Sequence, residues 1–103
     1  MSDKIHVSGC SLCRIYTEDK LPNKVYFLSN EFIIFHDPES DMAMISASEH
    51  ISSTNRGFWG RALYRVRKQF GQNIRLVKKP SRKYPDDHWH LYVTLKDKNK
   101  EDI

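Results

Sequence analysis

The segment His88-Trp89-His90-Leu91-Tyr92-Val93 reads as a β-strand. In extended backbone, alternate side chains point to opposite faces. His88, His90, Tyr92 and Thr94 therefore share one face, and Trp89, Leu91, Val93 and Leu95 share the other. The second face is an apolar stripe suited to a core. The first sets two imidazoles and a phenol in a row, about 7 Å apart at strand spacing. Packing alone does not call for such a row, so it reads as a site.

The segments upstream supply partners for this strand. Val25–Leu28 and Phe32–His36 read as a hairpin around Ser29-Asn30, and Met42–Ser46 as a third strand. Asp37-Pro38-Glu39-Ser40-Asp41 is a turn by composition. The period then changes. Trp59, Leu63, Val66 and Phe70 recur at steps of four, three and four, one face of a helix over Ser52–Phe70. Ser52, Ser53 or Thr54 could cap its start, and Gly71 could end it. Asn73–Val77 reads as a fourth strand and Trp89–Leu95 as the fifth. The expected fold class is α+β: an antiparallel sheet of about five strands with one main helix packed on it.

The 103 residues make one domain, 1–103, with room for one modest core, and with residues 1–9 and 96–103 expected to fray. Hydrophobic residues make up 39%, enough for a folded chain. No apolar run spans a membrane and no secretory pattern opens the chain, so the expectation is a cytoplasmic protein with no membrane partner.

Charge is unevenly spread. Residues 1–55 carry four Lys/Arg and eight Asp/Glu, whereas residues 56–85 carry ten Lys/Arg and no acid. Such a block favours a polyanion, either nucleotide phosphates or a nucleic-acid backbone. A solvated basic helix face with no partner is the plainer alternative.

Four residues are candidate metal ligands: Cys10, Cys13, His50 and His88. A Cys-x-x-Cys turn offers two thiolates to one tetrahedral ion, and two histidines from distant elements complete it. Thiolates suit zinc better than a hard cation. A redox pair, or two unrelated thiols, are the competing readings. The redox reading lacks the strand-then-helix pattern such pairs normally occupy.

The order of these motifs resembles the histidine triad (HIT) superfamily of nucleotide hydrolases and transferases, in its zinc-bearing branch. The likeness covers roughly residues 10–95. It rests on Cys10-Ser11-Leu12-Cys13-Arg14-Ile15, Phe35-His36-Asp37, Glu49-His50-Ile51, the helix, and His88-x-His90, in that order. The resemblance implies a HIT-like sheet. It implies a structural zinc on Cys10, Cys13, His50 and His88, and His90 as the nucleophile that attacks an α-phosphate and forms a nucleotidyl-histidine. It implies that Asp37 contacts ribose hydroxyls, and that the chain forms a homodimer.

Three positions depart from the family pattern of His-x-His-x-His. Tyr92 stands at the third histidine; its hydroxyl could donate to a phosphate oxygen but cannot carry positive charge. Asp37 lies only thirteen residues before His50, so the usual Pro/Gly-rich connector is missing. The phosphate loop is replaced by a stretch bearing Lys78, Lys79, Ser81, Arg82 and Lys83, which would hold phosphate by charge rather than by backbone amides. The expected function is therefore a nucleotide phosphoesterase or nucleotidyl transferase. Its substrate would be a nucleoside phosphate, a dinucleoside polyphosphate, a phosphoramidate or a nucleotidylated nucleic-acid end. The alternative is an inactive zinc-stapled module that binds nucleotide or nucleic acid through residues 56–85.

Overall fold

The alternating apolar segments assemble into one five-stranded antiparallel sheet, seen in a computed structural model that describes residues 6–7, 9–18, 21–78, 84 and 87–95. Along the chain come α1 (Ser11–Thr17), β1 (Val25–Leu28), β2 (Phe32–Asp37), β3 (Met42–Ala47), α2 (Arg56–Phe70), β4 (Ile74–Val77) and β5 (His90–Leu95). The spatial order is β1-β2-β3-β5-β4, so β5, the histidine-bearing strand, lies inside the sheet, between β3 and the edge strand β4. No helix among the described residues is long and apolar enough to cross a membrane.

Strand alternation divides the core into two layers. On one face Phe32, Ile34, Ile45, Ala47, Leu91 and Val93 pack with Phe58, Ala62 and Val66 of α2. On the other face Ile33, Phe35, Met44 and Tyr92 pack with Leu12, Cys13 and Ile15 of α1. β2 is apolar on both faces because it lies beneath both helices, and its Phe32-Ile33-Ile34-Phe35 run is buried throughout. Burying each such side chain contributes about 1.5–3 kcal/mol.

Three expectations change. The first turn of α2 begins at Arg56, and its cap is Asn55, whose Oδ1 accepts from the Phe58 amide at 2.9 Å. Ser52, Ser53 and Thr54 precede the cap. The end is as expected: Gly71 takes a positive φ of 96°, where a side chain would be strained, and returns its amide to Arg67. Second, α1 is a helix that the sequence reading left as a bare Cys-x-x-Cys segment. Leu12, Ile15 and Tyr16 recur at helical spacing, but seven residues are too few to nucleate a helix alone, so docking stabilises it. Third, the ring-bearing face of β5 is covered rather than open. His90 is 5% and Tyr92 3% exposed, while Leu95, expected in the core, is 66% exposed at the strand end. The expected frayed ends lie largely outside the described residues.

Candidate metal centre and histidine site

β3 and β5 end side by side, and the chain just beyond them is laced together. The Ala47 amide donates to the Trp89 carbonyl, and the Trp89 amide donates to Ile51. His50 is thereby held against His88, their rings edge-on with centroids 5.2 Å apart. α1 brings up the thiols from the other side. Cys10 ends the extended approach and Cys13 lies one turn along, so both sulfurs face the same point.

There Cys10, Cys13, His50 and His88 place one ligand atom each within 4.8 Å of one another. Cys13 Sγ lies 3.5 Å from His50 Nδ1 and 3.4 Å from His88 Nδ1, and Cys10 Sγ lies 3.5 Å from His88 Nδ1. A tetrahedron with metal–sulfur bonds of about 2.3 Å and metal–nitrogen bonds of about 2.0 Å has S···N edges of about 3.5 Å. Three of the four thiol–imidazole distances thus match the edges of a tetrahedral metal site.

The second nitrogen of each imidazole is already committed. His88 Nε2 donates to the Ala47 carbonyl at 2.9 Å, and His50 Nε2 lies 3.0 Å from Asp87 Oδ2. Each ring therefore carries its proton on Nε2 and turns the Nδ1 lone pair to the centre, the outer support that metal-bound histidines commonly have. Burial, the largest effect, holds His88 below the usual imidazole range and so keeps it neutral. Burial likewise pushes the Cys13 thiol up to about 11, so metal binding must displace a proton there. The hydrogen bond from His50 holds the Asp87 carboxyl below its usual range. His6 is not in this cluster; its Nε2 meets the Ser48 carbonyl at 3.0 Å.

One step along β5 from the metal cluster, His90 Nδ1 donates to the His88 carbonyl at 2.7 Å. That bond commits the Nδ1 proton, so that the neutral ring carries its lone pair on Nε2. The rings of Tyr84 and Tyr92 flank His90 edge-on, at 5.7 and 6.1 Å. Tyr84 also donates to Asp37 Oδ1 at 3.2 Å, while Ser40 Oγ donates to Oδ2 at 2.8 Å. Asp37 is therefore a buried, hydrogen-bonded carboxylate at the end of β2. Burial first, then the Asp37 charge, raises the Tyr84 phenol well above its ordinary range.

Two cavities adjoin this pair of rings. His90 and Lys78 line one of about 190 Å³, with Ser52, Ser53, Thr54 and Trp59. Tyr84 lines another of about 280 Å³, with Ile15, Leu21, Phe35 and Pro38 among its walls. The expected phosphate residues Lys79, Ser81, Arg82 and Lys83 lie outside the described residues. Sequence reasoning missed Tyr84 on Asp37, and it missed Asp87 behind His50. The position of Asp87 immediately before a candidate ligand was the only available signal. It also treated Ser52, Ser53 and Thr54 as caps, whereas they are cavity wall.

An antiparallel sheet in the order β1-β2-β3-β5-β4 with one crossover helix superposes on known structures. This is the histidine triad fold. Over 89% of its length the chain superposes on 94% of a HIT family hydrolase from Clostridium thermocellum, with a TM-score of 0.63 and 18% identity. It covers 74% of a HIT family protein from Bacillus anthracis at a TM-score of 0.55 and 10% identity, with 86% of the present chain aligned. A histidine triad nucleotide-binding protein from Candida albicans aligns with 85% of the chain and 76% of its own, at a TM-score of 0.53 and 16% identity. No protein-family profile and no curated protein sequence matches the chain. The likeness to the HIT fold is carried by backbone architecture rather than by overall sequence.

Proposed function

We propose that this chain is a nucleotide phosphoesterase or nucleotidyl transferase that works through His90. The observation that carries this reading is the bond from His90 Nδ1 to the His88 carbonyl, which commits Nδ1 and makes Nε2 the lone-pair nitrogen of the neutral ring on an interior strand. Nε2 attacks the α-phosphorus of a nucleotide; a P–N bond forms and the P–O bond to the leaving group breaks. Water or another acceptor then attacks phosphorus, breaks the P–N bond and frees the imidazole. Holding the ring before the reaction removes an orientational cost at the bond-making step.

The two cavities divide the substrate. The nucleoside takes the 280 Å³ cavity beside Tyr84, walled by Ile15, Leu21 and Phe35 together with Ser11 and Asn23, with its ribose toward Asp37. Phosphate takes the 190 Å³ cavity, where Lys78 and the hydroxyls of Ser52 and Ser53 supply charge and donors. Lys79, Ser81, Arg82 and Lys83 extend the same basic stretch, and Tyr92 donates to a phosphate oxygen. Substrates of this form are nucleoside phosphates, dinucleoside polyphosphates, phosphoramidates and nucleotidylated nucleic-acid ends. Two thiolates and two imidazoles are the donor set of a structural zinc, held by Cys10, Cys13, His50 and His88, which would fix the start of β5 and so aim His90. A homodimer in the cytoplasm belongs to the same proposal.

A second reading is favoured by one observation. His90 and Tyr92 are both nearly inaccessible, and Tyr92 supplies no positive charge at the third position of the motif. On that reading the chain binds nucleotide without turnover. Release of mononucleotide from a dinucleoside polyphosphate and from a nucleoside phosphoramidate decides between them. Turnover abolished by His90→Ala, with metal content and melting temperature retained, supports the enzyme. Tight nucleotide binding with no turnover in the unmodified protein supports the module.

A further inference from the structure

The outward face of α2 carries a feature that the site at His90 does not use. Arg67, Gly60, Tyr64, Lys68, Arg61 and Arg65 follow one another around the helix, from the arc opposite the buried Phe58, Ala62 and Val66 to the border of that buried face at Arg65. All six are exposed, and Tyr64 is 57% exposed despite being a large aromatic. The helix contains no acid.

Three of the four cations, Arg61, Arg65 and Lys68, are held by neighbouring side chains. Arg65 lies 4.6 Å above the Phe27 ring and 5.6 Å from the Tyr64 ring, and Lys68 lies 5.8 Å from Tyr64. Arg61 grips Glu31 with two hydrogen bonds, at 2.8 and 2.6 Å, which offsets the acid in the neighbouring turn. Two grooves, of about 380 and 310 Å³, run along either side of Tyr64, and both have Gly60 in their wall.

Gly60 is the informative residue. A glycine inside a helix costs about 1 kcal/mol relative to alanine. Close packing does not require it, since a Cβ at this position would meet nothing within 4 Å. What it does is leave the helix backbone bare beside an exposed ring, between cations. A flat group can lie on that floor against Tyr64 while its attached anions reach Arg65, Arg67 and Lys68. A nucleobase joined to phosphates has that form. An acidic peptide supplies the charge but no flat group for the floor.

We propose that this face of α2 binds a single-stranded nucleic acid, with a base over Gly60 and Tyr64 and the backbone along Arg65, Arg67 and Lys68. The proposal stands independently of the reaction at His90. It is tested with a fluorescein-labelled oligothymidylate, by anisotropy, on the metal-loaded full chain. Binding is expected at about 50 mM salt and to weaken steeply by about 200 mM. Replacing Arg65, Arg67 and Lys68 together by Gln should lower the salt slope by about 2, at about 0.7 per lost phosphate contact. Tyr64→Ala should cost roughly tenfold in affinity through lost stacking. Gly60→Leu should cost a similar factor by filling the floor, while the melting temperature holds or rises. Failure to bind the oligonucleotide at low salt overturns the proposal. So does binding that is indifferent to both Tyr64→Ala and Gly60→Leu, which would mean attraction by charge alone. Equal competition by polyglutamate would assign the face to an acidic protein instead.

Discussion

His88 and His90 are joined through one peptide carbonyl: the main-chain oxygen of His88 accepts the Nδ1 proton of His90 at 2.7 Å. The same residue that offers its side chain to the thiols of α1 therefore fixes the tautomer of its neighbour two positions along. Anything that lets the start of β5 drift is expected to loosen both sites at once.

A metal ion held by Cys10, Cys13, His50 and His88 would be part of the folding free energy. Elemental analysis of untagged protein should find one metal ion per chain. Cys13→Ser should lose it and lower the melting temperature sharply, as should chelation of the unmodified protein. A chain this small leans heavily on such a staple. Metal well below one equivalent, with an unchanged melting temperature on chelation, would contradict the centre.

Asp87 supports a ligand without touching the ion. Asp87→Asn should weaken metal affinity by roughly 10- to 100-fold, the usual consequence of removing the partner of a metal-bound imidazole. A competition titration against a chromophoric chelator measures it. Because Asp87 is exposed, the fold itself should survive the change.

Two phenols resist ionisation. Burial raises Tyr16, and burial together with Asp37 raises Tyr84, above the ordinary value of 10.0. A group whose folded pKa is raised stabilises the fold fully below its unfolded pKa, and that stability is lost as pH climbs toward the folded value. The contribution of these two phenols to stability should therefore be constant up to pH about 10 and fall above it. Tyrosinate absorbance should show Tyr16 and Tyr84 ionising only with unfolding. Tyr84→Phe should remove part of the alkaline loss.

Packing predictions follow from the two layers. Leu12→Ala should cost about 2–5 kcal/mol in chemical denaturation, because Leu12 is fully buried between α1 and the sheet. Asn55→Ala should cost about 1 kcal/mol by orphaning the Phe58 amide. If Leu12→Ala were neutral, α1 would not be docked as described.

The parts of this structure that were legible in the sequence are those set by local period or by chemistry. Strand alternation at His88–Val93 placed Leu91 and Val93 in the core beneath α2, and step-four and step-three spacing found α2 itself. Cysteines at 10 and 13 with two histidines pointed to one cluster because few other residues make good ligands for the same ion. Contacts made by chain return were not legible. Tyr84 meets Asp37 across 47 positions, and α1 covers the histidine face only because the sheet presents Ile33, Phe35 and Met44 to it. The cap at Asn55 was missed because three other capping residues precede it, and only the backbone geometry chooses among them.

The reading of His90 as a nucleophile is tested most directly by quenching the protein with a radiolabelled nucleotide substrate within the first turnover and mapping the label. The account predicts an acid-labile, base-stable nucleotidyl group on His90 Nε2, absent from His90→Ala. A label on another residue, or turnover that persists in His90→Ala, would contradict it.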